Sequence, residues 1–159
     1  MGNIKLGNQD YFSLESQEMK GAADIKFISC MYLYGDTLYV GTRSSKLYIF
    51  TLNLENKNPQ LNNQRIVMPH CETISHVTAN ARFFITVPES DDETSISIWE
   101  AKSLQFDVAL KGHQSQVSKV MFLTDNDYVV TSSWDNTVRV WTLKKMKEQA
   151  DLLLSSTES

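Results

Sequence analysis

The sequence is poor in cysteine, lacks long apolar runs and carries no excess of positive charge, and each shortage closes off a class of protein. Two cysteines, Cys30 and Cys71, are too few and too irregularly placed for a disulfide framework or a four-ligand zinc site. They fit a reducing interior, so a cytoplasmic location is expected, with the nucleus or the cytosolic side of an organelle left open. No segment is apolar for long enough to cross a bilayer, and the first residues lack the apolar core of a secretion signal. Gly2 invites N-myristoylation, but that signal wants a hydroxyl residue where Leu6 stands. A net charge of −4 and a pI near 5.3 leave no electrostatic footprint for nucleic acid or for an anionic membrane. Neither is expected as a partner, and a neutral or basic partner surface is favoured. What is present suffices for one globular domain, since 42% of the 159 residues are hydrophobic and 10% aromatic.

Residues 110–143 organise the rest. They hold a Gly-His pair (Gly112, His113), two alternating apolar runs, a polar turn centred on Asp135, and then Thr137 to Trp141, again alternating. Three short antiparallel strands are expected: Val117 to Phe122, Tyr128 to Ser133 and Thr137 to Leu143. Turn residues Asp125, Asn126 and Asp127, then Asp135 and Asn136, separate them. Asp135 can accept bonds from its own turn amides and still reach an imidazole N–H, for which His113 is the local candidate. A hydroxyl on the second strand can bridge that imidazole to the indole of Trp141. Thr131 and Ser133 face the same way, two residues apart, and Thr131 is preferred. The resulting chain of four would satisfy a His, an Asp and a Trp that a small sheet must bury. The same Asp, His and hydroxyl suggest a catalytic triad, but no nucleophile elbow or Gly-rich oxyanion hole accompanies them. No catalytic residue is assigned.

The pattern recurs. Trp99 ends an alternating run 42 residues before Trp141, and an offset of 43 carries Val117, Val120 and His113 onto Ile74, Val77 and His70. Pro69 stands where the Gly of the Gly-His pair would be. Earlier still, Leu38 to Phe50 aligns without a gap on Val129 to Trp141, placing Phe50 on Trp141, Ser44 on Asp135 and Arg43 on Trp134. This first copy has Lys20, Gly21 and Ala22 where a histidine is wanted, so packing rather than a polar network must hold it.

The combined spacing of Gly-His, turn Asp and terminal Trp resembles the WD-repeat family over roughly residues 19–143. Trp134 and Asp135 form a Trp-Asp pair, but the family's namesake pair would be Trp141 and its successor, which here is Thr142. The resemblance implies an all-β fold of propeller blades, each of four strands, used as a rigid platform for other proteins. About three blades are visible, so a partial or unclosed propeller is expected. The expected divisions are 1–18, read as an N-terminal segment lending a strand to an adjacent blade through residues 11–14, then 19–68 with an Asn-rich loop, 69–110, 111–146 and a tail, 147–159. Fourth strands are expected at Gln105 to Leu110 and at Arg65 to Met68, leaving the Asn-rich loop between Leu52 and Arg65. The tail reads equally as a short helix or as the start of an outer strand, and another repeat would begin close to where it stops.

Implied by the family pattern, the structural network comprises His113, Thr131, Asp135, Trp141, His70 and Trp99. The partner-facing positions are Trp134, Arg43, Gln114 and Gln116. No cofactor or metal is expected, because His70, Cys71 and His76 fit no common zinc spacing. The run Glu89, Ser90, Asp91, Asp92, Glu93 reads as solvated surface, with calcium ligation or docking of a basic segment as the alternative. The expected function is a non-catalytic scaffold binding other proteins or peptides. Two ways of covering the open sides are self-association and further blades from another chain. The alternative is an enzyme, or an enzyme subunit, with its site at the propeller mouth.

Overall fold

The computed structural model describes residues 25–53, 60–92, 94–123 and 128–143, and these form three consecutive antiparallel sheets. The first has strands β1 (Ile28–Tyr34), β2 (Thr37–Thr42), β3 (Leu47–Asn53) and β4 (Gln60–Val67), in that order. The second has β5 (Ile74–Ala79), β6 (Phe83–Pro88), β7 (Ile96–Glu100) and β8 (Phe106–Leu110). The third has β9 (Val117–Phe122), β10 (Tyr128–Ser133) and β11 (Val138–Thr142). Each is a meander of neighbouring strands, the shape of a propeller blade, and the described arc does not close on itself.

Alternation decides which residues join the sheets, because successive side chains of a strand point to opposite faces. On β3, Leu47 and Ile49 face the second blade and pack with Tyr39 against Ile74, Val77, Ala79 and Phe84. On the far face of the second blade, Ile85, Ile96 and Ile98 meet Val117, Val120 and Val129 of the third. Most of these side chains are fully buried, and each such Ile, Leu or Val contributes roughly 1.5–3 kcal/mol by leaving water.

Val117 and Val120 share a face although three residues apart, which a regular strand forbids. A register shift at Ser132/Ser133 resolves this, and matching shifts occur at Ile28/Cys30 and Ile74/His76. Every innermost strand therefore starts with a bulge, which turns its first residue into the core.

The fourth strand of the first blade differs from the expected one. It begins at Gln60 rather than Arg65, so half of the expected Asn-rich loop is strand. Leu52 pairs with Leu61, which is buried beside Phe50 and Val40, and this anchor outweighs the poor strand propensity of Asn62 and Asn63. Asn63 takes a positive φ of 54° at the accompanying shift, a conformation that Asn tolerates better than most residues. Residues 54–59 of that loop lie outside the described residues. So do the 11–14 segment, Lys20 to Ala22, the turn at 125–127, Glu93 and the tail. Among the described residues no helix is long and apolar enough to cross a membrane.

Candidate functional site: the buried polar chain and the rim cleft

The third blade gathers its polar residues into one connected chain. His113 Nδ1 lies 2.8 Å from Asp135 Oδ2, and His113 Nε2 lies 2.7 Å from Thr131 Oγ1. Trp141 Nε1 donates to the same Thr131 oxygen at 2.9 Å. Proton inventory fixes the direction. A carboxylate only accepts, so a neutral imidazole carries its proton on Nδ1, pointing at Asp135. Nε2 then accepts the Thr131 O–H, and the Thr131 oxygen accepts from the indole N–H. Every donor in the chain then has an acceptor.

Asp135 does more than terminate this chain. Its Oδ1 accepts from the Thr137 hydroxyl at 2.6 Å and the Thr137 amide at 2.9 Å, while Oδ2 accepts from the Gln114 amide at 3.0 Å. The Thr137 hydroxyl is the largest influence holding the carboxyl far below the usual carboxylate range. The Gln114 amide, His113 and the Thr137 amide add to it and partial desolvation opposes it. Ser133, the other hydroxyl facing the right way, instead donates to Ser115 O and receives the Asp135 amide. It braces the turn.

In the second blade, His70 Nε2 lies 2.9 Å from Thr86 Oγ1, and Trp99 Nε1 donates to that oxygen at 3.1 Å. Strand register identifies Thr86 as the counterpart of Thr131. Trp99 faces Phe84 across the ladder as Trp141 faces Val129, and in each case the hydroxyl lies two residues further on. Sequence alignment from Trp99 misses Thr86 because the connection between β6 and β7 is longer than that between β10 and β11. In the first blade the same positions hold Val40 and Phe50, both buried in an apolar cluster with Leu61. The polar chain is replaced there by hydrocarbon.

The same register aligns Arg43, Glu89 and Trp134, the residue that leaves the second strand of each blade. All three donate a backbone N–H to the residue that leads into, or just precedes, the innermost strand: Arg43 to Phe27 O at 2.9 Å, Glu89 to Thr73 O at 2.8 Å and Trp134 to Gln116 O at 3.0 Å. These anchors bring Arg43, Glu89, Gln116 and Trp134 to the wall of one open cleft of about 510 Å³, lined also by Ser29, Ser75 and His76. Trp134 is 71% exposed. Gln114 lies outside the cleft lining, with its side chain in solvent and its amide on Asp135. His76 Nδ1 sits 3.1 Å from Ser75 Oγ. Burial, then nearby Lys119, push its pKa down against the opposing pull of Glu89, so it is a neutral imidazole at neutral pH.

Glu89 and His76 carry no mark in sequence that separates them from an acidic loop and a possible metal cluster. Only the ladder register reveals Glu89 as the second blade's rim residue. Among the described residues no group of three or more His, Cys, Asp or Glu side chains is placed to hold a metal ion.

Comparison with known proteins bears on the same region. Residues 104–142 match the family model for "WD domain, G-beta repeat". The chain is similar to Periodic tryptophan protein 2 of Saccharomyces cerevisiae, 32% identical over 60 residues, which is 38% of this chain and 6% of that protein. It is similar also to the Schizosaccharomyces pombe homolog of that protein, 35% identical over 52 residues, covering 33% of this chain and 6% of the homolog. The chain thus matches only a small part of these relatives' length. Among solved structures, U3-55K superposes with a TM-score of 0.62 at 17% identity, covering 75% of this chain and 37% of that one. The RRP9 WD40 repeats superpose at 0.60, again at 17% identity, covering 75% and 36%. At that identity the superpositions establish the fold. With the repeat match over residues 104–142, the ladder register and the shared blade architecture together, the described residues have the fold of WD-repeat propeller blades.

Proposed function

We propose that the chain is a non-catalytic protein-interaction platform that engages a partner segment at the rim cleft, with Trp134 and Arg43 as the principal contacts. The carrying observation is that the three blades hold Arg43, Glu89 and Trp134 on equivalent backbone-anchored turns around one opening. An indole offers large contact area for few rotatable bonds, and a guanidinium offers donors in a fixed fork. Held on rigid turns, both bind at low ordering cost. The polar chain behind Trp134 is read as support for that turn rather than as chemistry, because the Asp135 oxygens are taken up by Thr137 in the turn and by His113 and the Gln114 amide on the preceding connection. Neutral or weakly basic segments with an apolar residue for Trp134 and a carbonyl or carboxylate for Arg43 are the partners this lining suits. Such a platform belongs in a reducing compartment, cytoplasmic or nuclear, where Cys30 and Cys71 remain thiols.

Affinity capture from a lysate, with wild type compared against Trp134→Ala and Arg43→Ala, tests the reading. Both variants should keep the wild-type circular dichroism and lose a common set of captured proteins. Undiminished capture of every protein by two folded variants would remove the cleft as the site.

A further inference from the structure

The residue skipped by the register at the start of each innermost strand is a serine: Ser29, Ser75 and Ser118. All three line the rim cleft together with Arg43, His76, Glu89 and Trp134. The Ser29 hydroxyl donates to Ile74 O, and the Ser75 hydroxyl to Val87 O at 3.1 Å or Pro88 O at 3.3 Å. Carbonyls only accept, so these two hydroxyl oxygens have lone pairs rather than protons left to offer the cleft. His76 Nδ1, 3.1 Å from Ser75 Oγ, is then the donor in that contact, and Nε2 is an acceptor with no partner among the described residues.

Glu89 adds a carboxylate that forms no ion pair among the described residues. Against these acceptors the cleft lining sets one cation, Arg43 on the first blade, while Lys119 lines a neighbouring cleft that shares Ser29, Ser75 and His76. Burial and Lys119 keep His76 neutral at neutral pH, so it retains its acceptor and does not repel a positive group. Asp91 and Asp92 follow Glu89, and Ser115 donates to Asp91 at 3.3 Å, which extends the negative charge from the second blade toward the third and draws basic groups to this side of the rim.

We propose that this side of the cleft takes an arginine side chain of the partner, its guanidinium donating to the Glu89 carboxylate and His76 Nε2 and its plane lying against the exposed indole of Trp134. The proposal rests on the rim cleft being the partner site and adds what enters it. A guanidinium carries five N–H donors in a flat fork, so it serves several acceptors at once and still stacks on an aromatic face. A lysine ammonium is a point charge with three donors and cannot stack. Arg43 stays available for a carbonyl or carboxylate elsewhere on the same segment. Every residue used lies on three consecutive blades, so the site needs nothing beyond them.

The probe is a capped alanine pentapeptide with arginine at its centre, titrated into the full chain while NMR follows the indole N–H resonances of its three tryptophans, that of Trp134 being identified with Trp134→Phe. The arginine peptide should shift the Trp134 resonance saturably. The same peptide with citrulline, close in shape but uncharged, or with lysine should bind about tenfold more weakly. Glu89→Gln should weaken the arginine peptide by about tenfold and Glu89→Lys should abolish its binding, both with the wild-type far-UV spectrum because Glu89 is exposed. His76→Phe should weaken it severalfold, whereas His76→Gln, which keeps an acceptor, should bind like wild type. No saturable shift in the wild type, as when a segment of the chain itself fills the cleft, would overturn the proposal, and so would equal binding of the citrulline or lysine peptide. Undiminished binding by the two folded Glu89 variants, or by His76→Phe, would overturn the two-acceptor scheme. Lysate capture separates this from the platform reading: captured proteins lost in Trp134→Ala but kept in Glu89→Gln would remove the arginine site and leave the platform standing.

Discussion

Replacing Thr131 by Val is the sharpest perturbation of the third blade, because it removes one hydroxyl while nearly conserving volume. Thr131 is 1% exposed, so water cannot take the place of its oxygen. Two buried partners lose their bond: His113 Nε2 at 2.7 Å and Trp141 Nε1 at 2.9 Å. An orphaned buried polar group costs about 1–3 kcal/mol, and the half-buried indole recovers part of its share from solvent. The added methyl returns up to about 0.8 kcal/mol, leaving a net destabilisation of about 1–3 kcal/mol. The first blade shows how the loss can be repaired, since Val40 there stands beside Phe50 rather than beside an indole. Trp141→Phe should therefore cost less in the Thr131→Val background than in the wild type, with a coupling of about 1 kcal/mol. Urea unfolding followed by far-UV circular dichroism measures all four proteins. A Thr131→Val midpoint equal to wild type, or strictly additive costs, would refute the bridging role of this hydroxyl.

Three further perturbations separate the remaining parts of the account. The carboxyl of Asp135 is held low in the folded state, so the stability it contributes is complete above the unfolded carboxyl value of roughly 4 and drains away as pH falls through and below it. Asp135→Asn should flatten the acid limb of the urea midpoint below about pH 5, most of all below about pH 4, and a profile parallel to wild type there would contradict the assignment. A Cβ on Gly41 would lie 2.5 Å from Cys30 Sγ and 3.1 Å from Ile74 Cβ, so Gly41→Val should wedge the first two blades apart at a cost of about 1–3 kcal/mol. Cys30→Ala should recover part of that loss, and no recovery would mean that the strain falls elsewhere. Trp134→Ala should leave the unfolding free energy within about 0.5 kcal/mol of wild type, because the side chain is largely in solvent; a larger loss would show that it props the adjacent blade.

Which side chains meet in the third blade was legible because each follows from local spacing. A hydroxyl two residues past the tryptophan's cross-strand partner, a histidine on the preceding connection and an aspartate in the turn all lie within 29 residues. In the second blade the same logic fails at Thr86 and Glu89. The longer connection there shifts the count, and only ladder pairing restores the equivalence. The fourth strand of the first blade was expected at Arg65 to Met68, but its first half, from Gln60, was hidden for another reason: Leu61 alone among Asn and Gln residues supplies its apolar anchor, and one residue makes no period. Bulges on the innermost strands were implicit in the three-residue spacing of Val117 and Val120, which only the register explains. The convergence of Arg43, Glu89 and Trp134 on one cleft is a property of how the blades are arranged around their inner strands. No single repeat encodes it.

Hydrogen–deuterium exchange on the chain bound to a partner recovered by capture tests the platform most directly. The account predicts new protection at the turns that follow Arg43, Glu89 and Trp134, with the outer strands β4 and β8 unchanged. Protection confined to β4 and β8, with the three turns exchanging as in the free chain, would contradict it.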